Sequence, residues 1–176
     1  PMAHAQLLEQ NTNCRTLAMR DTDENVQSLL IVRGDSDIET IDDLRGLRLA
    51  TGVETSSELW LLPVTQLAEE GLDVRTDCSL IELDSTQYSD LQRWVDDRTI
   101  FEAVVNQSAD AGIIFEPWLQ PLTRRHGLEE GEIRIIWRTR SYAHCAFTSS
   151  PTLTERRSDQ FVDLLLSMSS DDPHIA

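Results

Sequence analysis

Thr55, Ser56 and Ser57 stand together just after a short strand pattern at residues 48–51 and the turn residue Gly52. Three hydroxyls at a helix start suit anion chemistry. The first helical turn leaves backbone N–H groups without intrahelical acceptors, and neighbouring hydroxyls add donors. Thr55 followed by Glu58 has the spacing of a capping box, ahead of the apolar Leu59, Leu62 and Leu67. The same pattern also marks an ordinary well-capped surface helix, so these residues alone leave both readings open.

Other reactive residue types are not arranged for catalysis. The sequence holds no G-x-S-x-G elbow, no G-x-x-x-x-G-K-[ST] loop and no G-x-G-x-x-G turn. His144 and Cys145 adjoin, but neighbours on a strand face opposite ways, which predicts that they do not share a metal. His4, His126 and His174 stand apart, without ligand spacing. The acid pairs Asp96-Asp97 and Glu129-Glu130 lie in polar stretches and are expected to be solvated. Cys14, Cys78 and Cys145 are odd in number and widely spaced, which favours buried free thiols over a disulfide framework. No catalytic residue, metal site or cofactor is expected, and the chain reads as a non-enzyme.

The elements that position these residues follow from the apolar pattern. Residues 28–32 and 111–115 are short apolar runs typical of strands buried on both faces. Further strands are expected near residues 16–19, 48–51, 80–83, 133–137 and 145–148. Helices are expected over residues 1–9, 38–44, 55–70 and 117–126, and one or two over 89–106. Pro63 should kink the helix begun at Thr55 or end it early, and Gly71 should close it. The last helix carries a Thr152-x-x-Glu155 cap and an apolar stripe of Phe161, Leu164, Leu165 and Met168. Alternating strands and helices imply an α/β layer fold with a mainly parallel sheet.

The 176 residues carry a net charge of −16, contain no lysine and are 40% apolar. That is enough apolar content for a core. So acidic a surface repels nucleic-acid phosphates and anionic lipid, disfavouring both as partners. No stretch approaches the length of a membrane span, so no direct membrane insertion is expected. The chain opens on Pro1 and stops just past an amphipathic helix, which reads as a piece of a longer protein.

The segments 28–34 (SLLIVRG), 41–51 (IDDLRGLRLAT), the Ser/Thr-bearing helix start, 106–112 (NQSADAG) and 133–137 (IRIIW) occur in an order with a family resemblance. They resemble the phosphate/phosphite/phosphonate-type substrate-binding proteins of ABC transporters, as does the tail at 144–173. The resemblance implies a type II periplasmic-binding-protein fold of two α/β lobes with ligand in the cleft. One lobe, residues 47–137, would be complete. Residues 1–46 and 138–176 would supply hinge crossings and parts of the other lobe, with residues 28–32 as one crossing.

The family's Ser-Thr-Ser-Gly anion motif, set against Leu61-Leu62-Pro63, falls on Ser56, Ser57, Glu58 and Leu59. A histidine that members often carry falls near Asp97. Both departures add negative charge. Geometry then adds Glu116, just past the strand at 111–115, where ligands meet the carboxyl ends of parallel strands. It either holds an amine or faces solvent. Tyr142 and His144 fall on one side of the return crossing, lining the cleft or packing between lobes. Arg138 and Arg140 either offset the local acidity or stay exposed.

The expected ligand-binding set is therefore Thr55, Ser56, Ser57, Glu116, Tyr142 and His144. The resemblance implies a solute-binding component of an ABC importer, periplasmic or extracytoplasmic, working with membrane subunits on a small phosphonate-like or other polar ligand. The same fold also serves sensory domains of signalling proteins and some small biosynthetic enzymes.

Overall fold

The computed structural model describes residues 9–10, 13–81, 83 and 96–168. Among them the strands are β1 (Arg15–Met19), β2 (Ser28–Arg33), β3 (Arg48–Ala50), β4 (Ser79–Leu80), β5 (Ala111–Phe115), β6 (Ile133–Arg138) and β7 (Ala146–Ser149). The helices are α1 (Leu62–Glu69), α2 (Val74–Asp77), α3 (Asp97–Val105), α4 (Glu116–Arg125) and α5 (Glu155–Ser167). Most of the helix expected at 1–9, the first half of that expected at 89–106, and His4, Glu82 and His174 lie outside the described residues. The chain divides into two compact units, Asn25–Tyr142 and Pro1–Glu24 with Ala143–Ala176.

The larger unit is a five-stranded sheet in the order β4-β3-β5-β2-β6 with helices on both faces. Period-two alternation sorts its side chains. Leu29 and Ile31 of β2, Ala50 of β3 and Ile114 of β5 face one core, shared with Ile100, Phe101 and Val104 of α3. Leu30 and Val32, Leu49, Ala111 and Ile113 face the other, with Trp60, Leu67, Leu72 and Val74. Strands covered on both faces explain why β2 and β5 read as unbroken apolar runs. Each fully buried Leu or Ile contributes roughly 1.5–3 kcal/mol. Gly112 leaves room for α3, because a Cβ there would stand 2.7 Å from the Ile100 Cγ2 methyl.

The expectation of a mainly parallel sheet needs correction. β3 runs parallel to both β4 and β5, but β2 runs against both β5 and β6. With β5 in the middle, two of the four pairings are antiparallel. Residues 38–44 shorten to a 3-10 turn, Ile41–Leu44, held by Asp43, whose carboxylate accepts from the N–H groups of Glu39 and Thr40.

In the smaller unit β1 and β7 form an antiparallel pair, and Phe147 of β7 meets Phe161 of α5 edge-on at 5.4 Å. Two expectations fail here. Thr152 does not cap α5: its hydroxyl pairs with Ser150 at 3.0 Å, and Thr154 takes the cap position. Leu164 and Met168 of the expected apolar stripe are exposed, because the helix meets the strand pair through its Phe161 side.

Candidate functional site

After β3 the chain turns at Glu54–Thr55 and enters a π-turn, Ser57–Leu61, that runs straight into α1. Ser56, one residue later than expected, is the cap: its Oγ accepts from the Leu59 N–H at 3.1 Å, while Thr55 is exposed. The wide turn is the reason for this correction. The Leu61 N–H reaches the Ser56 carbonyl at 2.9 Å and the Leu62 N–H reaches that of Ser57, both five residues back. Pro63 then does not end the helix. It sits in the first turn of α1, where a missing N–H costs least. The carbonyls it cannot serve find other donors: the Gly52 N–H meets Leu59 O at 3.2 Å, and the Ser28 hydroxyl meets Glu58 O. Gly52 also permits the close approach, since a Cβ there would lie 2.4 Å from the Leu59 Cβ.

Ser28, fully buried at the head of β2, links this turn to Tyr142. Its hydroxyl lies 2.8 Å from the Tyr142 hydroxyl. Because Ser28 donates to Glu58, Tyr142 is placed to donate to Ser28. Tyr142 is anchored by a bridge to Val26 and stacks on Phe115, with ring centroids 6.4 Å apart. Burial pushes its phenol well above the ordinary range; the Ser28 bond opposes this, and the charges of Glu58, Asp97 and Glu116 add to it. The phenol therefore stays protonated.

Asp97 corrects the expectation of a solvated acid pair. Asp96 is the exposed cap of α3, accepting from the Thr99 N–H at 2.9 Å. Asp97 instead turns inward and accepts the Phe115 N–H at 2.5 Å. Burial raises its carboxyl to about 7; the Phe115 N–H opposes the rise, and the charges of Glu58 and Asp96 add to it. Glu116 opens α4 with its N–H on Gln27 O at 2.9 Å and its carboxylate 3.2 Å from Arg138 Nη1. Arg140 pairs with Glu69 at 2.8 Å. Both arginine pairs are largely exposed and worth roughly 0–1 kcal/mol.

In the larger unit, then, a helix start with first-turn N–H groups neighbours three carboxyl groups, a protonated phenol and a buried serine. Donors of that kind can hold an anionic group and the carboxyls a cationic one. Thr55, Ser56, Ser57, Glu116 and Tyr142 all lie in this unit, but Ser56 uses its hydroxyl on its own helix. Ser28 was missed, since its only signal is a hydroxyl at the head of an apolar run.

His144 lies in the smaller unit, where its Nδ1 is 3.3 Å from Asp23 Oδ1 and 3.1 Å from Cys145 Sγ. The expectation that His144 and Cys145 face opposite ways is thereby corrected. Residues 143–145 precede β7 and lie outside any strand, so strict alternation does not apply to them. Cys145 is an exposed free thiol, against the expectation of buried ones; Cys14 is buried and Cys78 half-buried.

The family model described as ABC transporter, phosphonate, periplasmic substrate-binding protein matches residues 1–176. No curated protein sequence matches. Among solved structures, PhnD1 from Prochlorococcus marinus in complex with methylphosphonate is 18% identical with a TM-score of 0.65, covering 93% of this chain and 59% of its own. XAC2383 from Xanthomonas citri bound to ATP is 21% identical with a TM-score of 0.62, covering 92% and 60%. The periplasmic aliphatic sulphonate binding protein SsuA from Escherichia coli is 16% identical with a TM-score of 0.57, covering 91% and 46%. These likenesses establish the type II periplasmic-binding-protein fold. This chain spans about three-fifths of the length of the first two.

Proposed function

Because the chain belongs to the phosphonate substrate-binding family of ABC transporters, we propose that it is the solute-recognising part of an importer for a small phosphonate that also carries an amine. Family membership supports the phosphonate and an extracytoplasmic setting, with transporter membrane subunits as partners. The observation that carries the amine is the placement of Glu58, Asp97 and Glu116 in the field of one phenol, Tyr142. A carboxylate about 4 Å from a bare phosphonate costs roughly 1 kcal/mol in water and about 4 kcal/mol at an effective dielectric near 20. A helix end returns only about 0.3–1 kcal/mol. A ligand with an ammonium group turns that repulsion into attraction. In this reading the first-turn N–H groups and Ser57 hold the phosphonate oxygens, while Asp97 and Glu116 face the ammonium.

A thermal-shift comparison of phosphate, methylphosphonate, 2-aminoethylphosphonate and simple alkylamines tests it. The expected result is the largest rise in melting temperature with 2-aminoethylphosphonate. A larger rise with methylphosphonate would remove the amine, and a rise with alkylamines alone would remove the phosphonate.

A further inference from the structure

The smaller unit holds a second constellation of side chains. Asp23, His144 and Cys145 each present one ligand atom, and these atoms all lie within 4.8 Å of one another. We propose that these three side chains bind a thiophilic divalent cation of the zinc class.

The geometry argues for a cation over a thiol-activating relay. In a relay the base uses one ring nitrogen for the nucleophile and the other for its orienting carboxylate. Here carboxylate and thiol converge on the same nitrogen, Nδ1 of His144. Three donors gathered about one point, with chemistry O, N and S, form a set that zinc accepts. Donors at tetrahedral positions about 2.0–2.3 Å from zinc stand roughly 3.3–3.7 Å apart. The observed 3.3 Å between Asp23 and His144 already matches, and the 3.1 Å between His144 and Cys145 needs only a slight opening.

The surroundings fit as well. Asp23 is buried, and its backbone carbonyl accepts the His144 N–H at 2.9 Å, so the main chain sets the spacing of the two ligands. Arg20 Nη2 donates to Asp23 Oδ1 at 2.9 Å, and Arg20 Nε bonds Oδ2. An ionised carboxylate oxygen has a lone pair to spare, so Arg20 orients this ligand in the way outer-shell partners do. Cys145 is exposed and gives the ion a route from solvent. Binding replaces the Cys145 S–H bond with a sulfur–metal bond, and the proton leaves to water. The fourth coordination position goes to water. Because Asp23 and His144 are far apart in sequence, the ion ties the turn after β1 to the segment entering β7, and should stabilise this unit.

The test is titration of the reduced chain with Zn(II) by calorimetry, and with Co(II) by absorption, in a buffer without chelators. Expected are one ion per chain, a thiolate-to-cobalt charge-transfer band and a Zn(II)-dependent rise in melting temperature. Cys145→Ser and His144→Ala should each weaken binding about tenfold or more, and Cys145→Ser should abolish the band. Cys145 is exposed, so its serine variant leaves the core intact. Cys78→Ser, which alters a thiol elsewhere, should leave the band and stoichiometry unchanged. Absence of one-to-one binding, a band that survives Cys145→Ser, or a band lost equally in Cys78→Ser would overturn the proposal.

Discussion

Asp97 is the residue whose environment differs most from its sequence neighbourhood. Its carboxyl, raised by burial to about 7, ionises in the unfolded chain near 3.8. The folded state therefore binds the extra proton, and stability from this group is full below about pH 4 and lost as pH rises through 7. The difference corresponds to on the order of 4 kcal/mol at pH 8. Asp97→Asn keeps an acceptor for the Phe115 N–H and removes the charge. It should raise the melting temperature at pH 8 and change it little at pH 4; equal shifts at both, followed by calorimetry or circular dichroism, would contradict the assignment. The same charge predicts that affinity for an ammonium-bearing ligand climbs through pH 7 in the wild type but not in Asp97→Asn. Ser28→Ala should cost about 1–3 kcal/mol in denaturant unfolding, because it strands both the Glu58 carbonyl and the Tyr142 hydroxyl. Neither effect is legible in the sequence. Asp97 looks like half of a surface acid pair, and its partner, the Phe115 N–H, is known only once α3 packs beside β5.

At the scale of elements, the strands were the readable part. β5 stands at residues 111–115 as its unbroken apolar run implies, and β6 gains only Arg138 beyond its run. Strand direction was not readable, because periodicity reports which faces are covered and not which way a neighbour runs. The helix start was half readable. Hydroxyls signal a cap, but the choice between Thr55 and Ser56 depends on the wide turn that Pro63 and the Gly52–Leu59 contact impose. Gly52→Ala tests that contact. With a Cβ 2.4 Å from that of Leu59, it should destabilise by roughly 1–3 kcal/mol and displace the turn carrying Ser57, so stability and ligand affinity should fall together. A variant as stable as wild type would show that the close approach is not required.

At the scale of the whole molecule, the family order of segments outweighed any single motif. Each motif is short, yet together they led to the fold that the solved structures share. The net charge of −16 acts over the entire surface and repels other polyanions. Among the described residues no helix is long and apolar enough to cross a membrane. In the proposed function, what the chain recognises depends on one small region, the mouth of the turn after β3. Calorimetric titration of 2-aminoethylphosphonate into the wild-type chain and into Ser57→Ala addresses it most directly. Binding should weaken about tenfold in the variant, the roughly 1.5 kcal/mol of one hydrogen bond to a charged group, with the melting temperature of the free protein nearly unchanged. Equal affinity in the two proteins would contradict the assignment of this turn as the recognition surface.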